Sequence, residues 1–392
     1  MRMTTESDAL LDDLRQSERP AILVGGGAYK ARDAIMAFAS DHYIPVFRTW
    51  NALDVATDDE YCYAGTVGTY GGPGRNFGVQ NCDLLLVLGC RISGRITGGS
   101  PQTFARGARK WWVDLDADLM REHEVRPDVA VQMDVGHFID MLPTSQRIYE
   151  PWLMQCRSWA QTFDPVDTSH YETWHHYGFM RELSKMIQHD AIVTYDTGGN
   201  AIMMGHCFRS KRGQRIFSSN GNTPMGFSLC GAIGAWFADK SRPVICIIGD
   251  GGLQLNIQEL QTIRHYRIPL KVFVVNNETL GNTKAYQRVN GKPEICCGPD
   301  GYSVPSFTSI ARAYGLRADS LSSWDHFDRI VSQALASEHA TVVDVIDKDR
   351  CNYQPRISRW DLPIEDAEPF LPREFFRQQM VIEPMQGWEK NQ

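Results

Sequence analysis

Short runs of aliphatic and β-branched residues recur along this chain with amphipathic stretches between them. That alternation is the strongest constraint on its fold, because parallel strands need crossover connections and each crossover helix must lay an apolar face on the sheet. In the first part, strands are expected at Ala21–Val24, Leu84–Leu88 and Lys110–Leu115, with a helix over Ala31–Asp41. In the second part the order is helix His176–Ile187, strand Ala191–Tyr195, helix Gly226–Phe237, strand Pro243–Ile248, helix Leu253–His265 and strand Lys271–Val275. Helices Val304–Tyr314 and Ser323–Ser337 and a strand Thr341–Ile346 complete it. The expected fold class is α/β, with two doubly wound parallel-sheet domains. A length of 392 residues suits two to three domains. The expected organisation is an N-terminal linker helix over 1–17, a first domain over 18–145, a linker over 146–172 with one short helical piece at Trp152–Gln161, a second domain over 173–350 and a Pro- and aromatic-rich tail over 351–392.

Composition narrows the functional classes. Hydrophobic residues at 43% and charged residues at 22% exclude a disordered chain. A net charge of -7, from 40 basic and 47 acidic residues, argues against a surface built to neutralise nucleic-acid phosphates or anionic lipid. The ten cysteines form no C-x-x-C pair and lie mostly in apolar runs, as reduced core thiols of a cytoplasmic protein would. Met1 to Asp13 is polar and acidic, unlike a signal peptide, and no apolar run approaches the roughly 18 residues of a membrane span. No nucleic-acid or membrane partner is expected.

The chemistry concentrates between Pro243 and Leu280. The run Val244-Ile245-Cys246-Ile247-Ile248 leads straight into Gly249-Asp250-Gly251-Gly252, and Leu253, Ile257, Leu260 and Ile263 then recur at helical spacing. A helix beginning behind the glycines aims its unpaired N–H groups at the turn, which favours a phosphate. Asp250 would repel a bare phosphate but hold a divalent cation bridging to one. The next strand ends in Asn276-Asn277-Glu278-Thr279, and adjacent parallel strands bring their C-terminal ends together, so Asn277 can supply a second oxygen ligand. With a backbone carbonyl and diphosphate oxygens, the set meets the octahedral oxygen demand of magnesium. Either piece alone is also compatible with a tight turn and a strand-end cap.

Taken together, Gly249-Asp250-Gly251, twenty-four intervening residues and Asn276-Asn277 resemble the signature of thiamine diphosphate (ThDP) enzymes. Thr223-Pro224-Met225-Gly226-Phe227-Ser228-Leu229, followed by Gly231-Ala232-Ile233-Gly234-Ala235, is similar to a segment of the acetolactate synthase (acetohydroxyacid synthase)-like family in which a bulky apolar residue wedges the cofactor into a bent form. The resemblance implies Met225 as that wedge; core filler at the start of an apolar helix is the alternative. Asp196-Thr197-Gly198-Gly199-Asn200 stands where the family approaches the diphosphate from the opposite side, with Gly199 and Asn200 replacing a common Gln-His. The implied cofactor contacts are Asp196, Gly198, Gly199, Asn200, Thr223, Met225, Gly249, Asp250, Gly251, Gly252, Asn277, Thr279, Leu280 and Gly281, with Asp250, Asn277 and Thr279 on Mg2+.

Pro20 to Gly27, Asp83 to Gly89 and Asp114-Leu115-Asp116 resemble the central domain of the same family. That domain can hold a structural FAD. Arg91-Ile92-Ser93-Gly94-Arg95-Ile96-Thr97-Gly98 keeps both arginines of the family's run and loses its aromatic and two acids, so an occupied and an empty site both remain open.

The family orders its domains as pyrimidine-binding, central and diphosphate-binding, and this sequence opens at the second. The pyrimidine domain supplies a glutamate to a pyrimidine nitrogen, and no such segment occurs here. Gly71-Gly72-Pro73-Gly74-Arg75-Asn76 mimics one of its loops but runs into Asp83-Leu84-Leu85-Leu86. The expectation is a large subunit of a split, hetero-oligomeric enzyme, whose separate pyrimidine-binding subunit of about 160–190 residues, an ordinary domain size, brings the glutamate. The implied reaction is decarboxylation of a 2-oxo acid, pyruvate first, and transfer of the acyl carbanion to a carbonyl acceptor. A non-ligating decarboxylase subunit and a non-catalytic ThDP-binding regulatory subunit are the alternatives. Leu280 and Gly281 match acetolactate synthases, whereas Asn282, Lys284 and Tyr286 replace Met, Arg and Trp of the acceptor pocket. Lys284 either holds a carboxylate or phosphate or is a surface lysine.

Overall fold

The computed structural model describes residues 6–142, 147–348, 350–357 and 362–386. The expected boundary at 145–146 and parts of the tail, 358–361 and 387–392, lie outside them. The chain divides into two compact units, one of residues 1–165 with 354–392, the other of residues 166–353.

The first unit is built on β1 Pro20–Val24, β2 Val46–Arg48, β3 Tyr63–Thr66, β4 Leu84–Leu88, β5 Arg109–Asp114 and β6 Val129–Gln132. They form one all-parallel sheet in the order β3-β2-β1-β4-β5-β6. β1 and β4 are buried along their whole length, as central strands covered by helices on both faces must be. The shorter β2, β3 and β6 were not foreseen. β2 contains Arg48, buried to 1% exposure, and an arginine breaks the apolar signature of a strand. Its Nε donates to Thr66 Oγ1 of β3 at 3.0 Å and its guanidinium pairs with Asp58 at 2.9 Å.

Helix Glu6–Gln16 adds Leu10, Leu11 and Leu14 to this core. The stretch expected as a linker carries helix Glu150–Thr162, whose Leu153 joins the same core. The chain after 354 returns to this unit. Asn76 Nδ2, on helix Pro73–Asn81, donates to Ile364 O at 2.7 Å, and Trp159 Nε1 to Gln379 Oε1 at 2.8 Å. Glu365, at 0% exposure, accepts from Gln80 Nε2 at 2.6 Å and pairs with Arg106 at 2.7 Å.

The second unit contains β7 Ile192–Tyr195, β8 Arg215–Phe217, β9 Val244–Gly249, β10 Lys271–Asn276, β11 Arg317–Leu321 and β12 Thr341–Ile346. They form a second all-parallel sheet in the order β11-β12-β10-β9-β7-β8. Strand order reverses between β7 and β9, which are paired with Tyr195 opposite Ile247. The connections on either side leave toward opposite faces there, and a crevice opens beyond the carboxyl ends of the two strands.

The helix expected over Leu253–His265 is two helices, Asp250–Leu255 and Glu259–Tyr266. The first begins at Asp250, so Gly251 and Gly252 lie in its first turn rather than before it. Asn256 ends it, and the Asn256 side chain donates to Gly226 O at 3.0 Å instead of continuing the helix. The helix expected from Val304 starts at Phe307, because Ser306 caps it by accepting from Ser309 N.

Candidate functional site

Three turns meet at the crevice. After β7 comes Asp196 and then Gly198, whose φ of 69° suits only glycine without strain and which caps helix Gly199–His206. After β9, Gly249 leads into Asp250. After β10, in register with β9 through Val275 opposite Gly249, come Asn277, Glu278, Thr279 and Leu280.

Asp250 is 4% exposed. Its Oδ1 accepts from Gly251 N at 2.7 Å, while Oδ2 has no hydrogen-bond partner. Burial pushes its pKa up to about 6, opposed by the Gly251 N–H, the neighbouring Tyr302 hydroxyl and the backbone of Glu278 and Asn277. Tyr302 lies beside the carboxylate without meeting hydrogen-bond geometry, and its oxygen accepts from Gln254 Nε2 at 3.1 Å. Asn277 Nδ2 donates to Arg350 O at 2.7 Å, which fixes the amide and leaves Oδ1 as its acceptor, 3.2 Å from Thr279 N.

Buried polar atoms are nearly always paired in native proteins. Here Asp250 Oδ2, Thr279 Oγ1 and Asn200 Oδ1 are all buried without partners. Asn200 borders the same turn, since a Cβ on Gly249 would lie 3.0 Å from Asn200 Nδ2. The Asp250 carboxylate, the Asn277 amide oxygen and the Thr279 hydroxyl are hard oxygen donors, and they fit Mg2+ better than a metal that prefers nitrogen or sulfur. Thr279 brings an unpartnered hydroxyl to this set, where the sequence pointed to a backbone carbonyl. Among the described residues no group of three His, Cys, Asp or Glu could hold a metal, so the mixed set is the candidate metal centre.

The glycines make a cradle over these atoms. A Cβ on Gly251 would come within 2.8 Å of Met225 Cε, 3.2 Å of Tyr302 Oη and 3.4 Å of Leu280 Cδ2. Met225 is 40% exposed, so it overhangs the turn and is not core filler. A Cβ on Gly252 would collide with the Asp196 carboxylate, and one on Gly199 or Gly281 with Tyr353. Asp196 is turned inward, with Oδ1 accepting from Thr197 N and Oδ2 from Gly226 N, both at 2.7 Å. It therefore ties β7 to the start of helix Phe227–Ala238 and sets the loop that carries Met225. Thr223, at a φ of 50°, and Glu278, at 57°, hold left-handed conformations on either side of the crevice. For non-glycine residues these cost about 1 kcal/mol or more each.

Asn282, Lys284 and Tyr286 share helix Gly281–Val289 but not one face of it. Asn282 lies against Gly198, with its Cβ 3.7 Å from where a Gly198 Cβ would sit. Tyr286, one turn on, is 54% exposed and carries Lys292 over its ring. Lys284 is not a surface lysine: it is 9% exposed, with Nζ 3.6 Å from Glu294. Residues that sequence reading missed are Tyr302, Gln254 and Tyr353. Tyr302 and Tyr353 reach the crevice from loops with no motif around them, whereas Gln254 lies on helix Asp250–Leu255 just past the glycine motif. Cys297 is buried beneath Leu280, whose N–H donates to its carbonyl at 2.9 Å, while Cys296 is exposed. His175 caps helix His176–Met186, and His176 is buried with Nε2 2.9 Å from Val345 O.

In the first unit, Gly25 and Gly27 are taken up by backbone packing, since a Cβ on either would crowd Gly89 O. Their amides donate to Leu88 O and Gly89 O at 3.0 Å. The glycines thus serve the β1–β4 crossing, and Arg91 and Arg95 are exposed. Among the described residues no helix is long and apolar enough to cross a membrane.

Residues 7–142 match the family described as thiamine pyrophosphate enzyme, central domain, and residues 196–345 match thiamine pyrophosphate enzyme, C-terminal TPP binding domain. The chain is 30% identical over 349 residues to the probable acetolactate synthase large subunit of Methanocaldococcus jannaschii, a match covering 85% of this chain and 58% of that one. It is 32% identical over 350 residues to the acetolactate synthase large subunit of Parasynechococcus marenigrum, covering 86% and 55%. To the acetolactate synthase isozyme 2 large subunit of Escherichia coli it is 29% identical over 334 residues, covering 83% and 59%. The chain therefore spans somewhat more than half the length of these relatives.

Proposed function

Since the chain belongs to the thiamine pyrophosphate enzyme family, we propose that it is a subunit of a ThDP- and Mg2+-dependent enzyme that decarboxylates a 2-oxo acid, pyruvate first, and joins the acyl unit to a carbonyl acceptor. The observation that carries this reading is the cluster of unpartnered buried oxygens on Asp250, Thr279 and Asn200 around one glycine turn. When bound, ThDP supplies the carbanion chemistry that decarboxylation and carbon–carbon bond formation require.

The chain's residues do the rest by position. Asp250, Asn277 and Thr279 hold the cation, and the lack of a side chain at Gly251 admits a diphosphate against the backbone. Met225 overhangs the same turn and constrains the shape of what lies in it. Asp196 keeps Met225 in place by binding Gly226 N. Asn282 and Tyr286 border the opening with polar atoms where acetolactate synthases carry an apolar and aromatic wall, which suits an acceptor more polar than 2-oxobutyrate. The glutamate that activates the cofactor is proposed to come from a pyrimidine-binding domain on a separate chain.

Purification of the tagged chain from its native host tests the proposal, with mass spectrometry of co-eluting chains and assay of the eluate on pyruvate with ThDP and Mg2+. A stoichiometric partner and accumulation of an acyloin are expected. Free aldehyde alone would replace ligation by simple decarboxylation. Turnover by this chain without a partner would overturn the split-enzyme arrangement, and ThDP binding without turnover in the complex would leave a regulatory subunit.

A further inference from the structure

The second unit has another cavity, of about 450 Å3, at the opposite end of its strands from the glycine turn. It is lined by Arg264 in the last turn of helix Glu259–Tyr266, by Arg267 just after it, by Arg317 at the start of β11 and by His339 just before β12. Ile268 and Leu316 contribute an apolar floor. Among the described residues no carboxylate lines it. β10 runs between the two sites, and its six residues at about 3.3 Å each separate them by roughly 20 Å.

Three arginines line one cavity with no carboxylate among the described lining residues. Favourable interaction with a helix C-terminus accounts for Arg264, but Arg317 and His339 arrive from other elements. Among the described residues the Arg317 side chain donates to Ser337 Oγ alone, at 3.3 Å, and no ion pair engages Arg264 or Arg267. Arg267 also holds a φ of 53°, a position that ordinarily goes to glycine or asparagine. Gly315 leaves room for the Arg264 side chain, since a Cβ there would lie 3.1 Å from Arg264 Nε.

We propose that this cavity is a second ligand site, which takes a phosphomonoester with a small apolar body, the phosphate forked by Arg264, Arg267 and Arg317 and the body on Ile268 and Leu316. Guanidinium forks match phosphate oxygens two at a time, and the volume is that of an ordinary small-molecule site. Its distance from the glycine turn makes it an effector site rather than a substrate subsite.

Phenyl phosphate and inorganic phosphate, titrated calorimetrically into the full chain without ThDP, test the inference. Phenyl phosphate is expected to saturate at one site and to bind about tenfold more tightly than inorganic phosphate. A double Arg264→Ala, Arg317→Ala variant weakens it by about tenfold or more. The double lysine variant, which keeps the charge and loses the fork, falls between. Asp250→Ala leaves the binding unchanged. No saturation at millimolar ligand, equal affinity in the double alanine variant, or a changed affinity with Asp250→Ala would each overturn the proposal, the last by placing the ligand at the glycine turn. All three lining arginines are exposed, so the variants fold, which circular dichroism melting confirms or refutes independently.

Discussion

Replacing Asp250 by asparagine should stabilise the metal-free protein at neutral pH, although it removes the carboxylate proposed to hold the metal. Burial raises the Asp250 pKa from 3.8 to about 6. A carboxylate with a raised pKa favours the folded state when protonated, so its burden on folding is absent below about pH 3.8, grows toward pH 6 and is complete above it. Some two pKa units correspond to about 3 kcal/mol at pH 7.5. Asparagine keeps the acceptor for Gly251 N and carries no charge, but its Nδ2 takes the place of the unpartnered Oδ2 and costs about 1 kcal/mol. The net gain is about 2 kcal/mol. For a unit of this size that is roughly 4–8 °C in Tm, measured by calorimetry with a chelator present. At about pH 5 the burden on the wild type is roughly half as large, and the advantage of the variant nearly disappears. Saturating Mg2+ and ThDP should reverse the order, because only the carboxylate gains the cation. A variant less stable than wild type at pH 7.5 without metal, or a difference that does not change between pH 5 and pH 7.5, would refute the assignment of Asp250 as a charge buried in wait for a metal.

Other substitutions probe separate contacts. Gly252→Ala drives a Cβ into the Asp196 carboxylate and should lower stability by about 1–3 kcal/mol in urea denaturation, with loss of ThDP affinity. Met225→Ala should leave Mg2+-dependent ThDP affinity within a few-fold and lower the rate of decarboxylation, as pre-steady-state kinetics would show. Glu365→Ala leaves the partly buried Arg106 without its carboxylate and takes one acceptor from the Gln80 amide. It should cost about 3 kcal/mol and expose residues 362–386 to limited proteolysis. Of the ten thiols only Cys230 and Cys296 are exposed. Ellman's reagent should titrate these two in the native protein, Cys296 first, because partial burial raises the Cys230 pKa. Cys82, Cys90 and Cys246, each pushed up to about 12 by burial, should react only on unfolding.

The long aliphatic runs were legible because a central parallel strand is buried on both faces, and so β1, β4, β9, β10 and β12 stand out in the sequence. The strands that did not stand out carry their burial differently: Arg48 in β2 is satisfied by Thr66 and Asp58 rather than by apolar neighbours. The break at Asn256 escaped periodicity because a side chain bonding to Gly226 ended the helix, and no hydrophobic pattern records such a bond. The juxtaposition of Asp250 and Asn277 was readable, since two strand ends in register bring them together from motif residues alone. Tyr302 and Tyr353 were not readable, since loops brought them to the crevice and only packing against Gly251, Gly199 and Gly281 reveals them. The resting place of the tail was equally hidden, because the attachment of Glu365 depends on Gln80 and Arg106, far away in sequence.

The most direct test of the proposed function is calorimetric titration of ThDP into the purified native complex, with and without Mg2+, for wild type and for Asp250→Ala. Binding that requires Mg2+ and is lost in the variant is the expected result. Equal ThDP affinity with a chelator present, or in Asp250→Ala, would contradict the placement of the cofactor at the glycine turn and with it the proposed reaction.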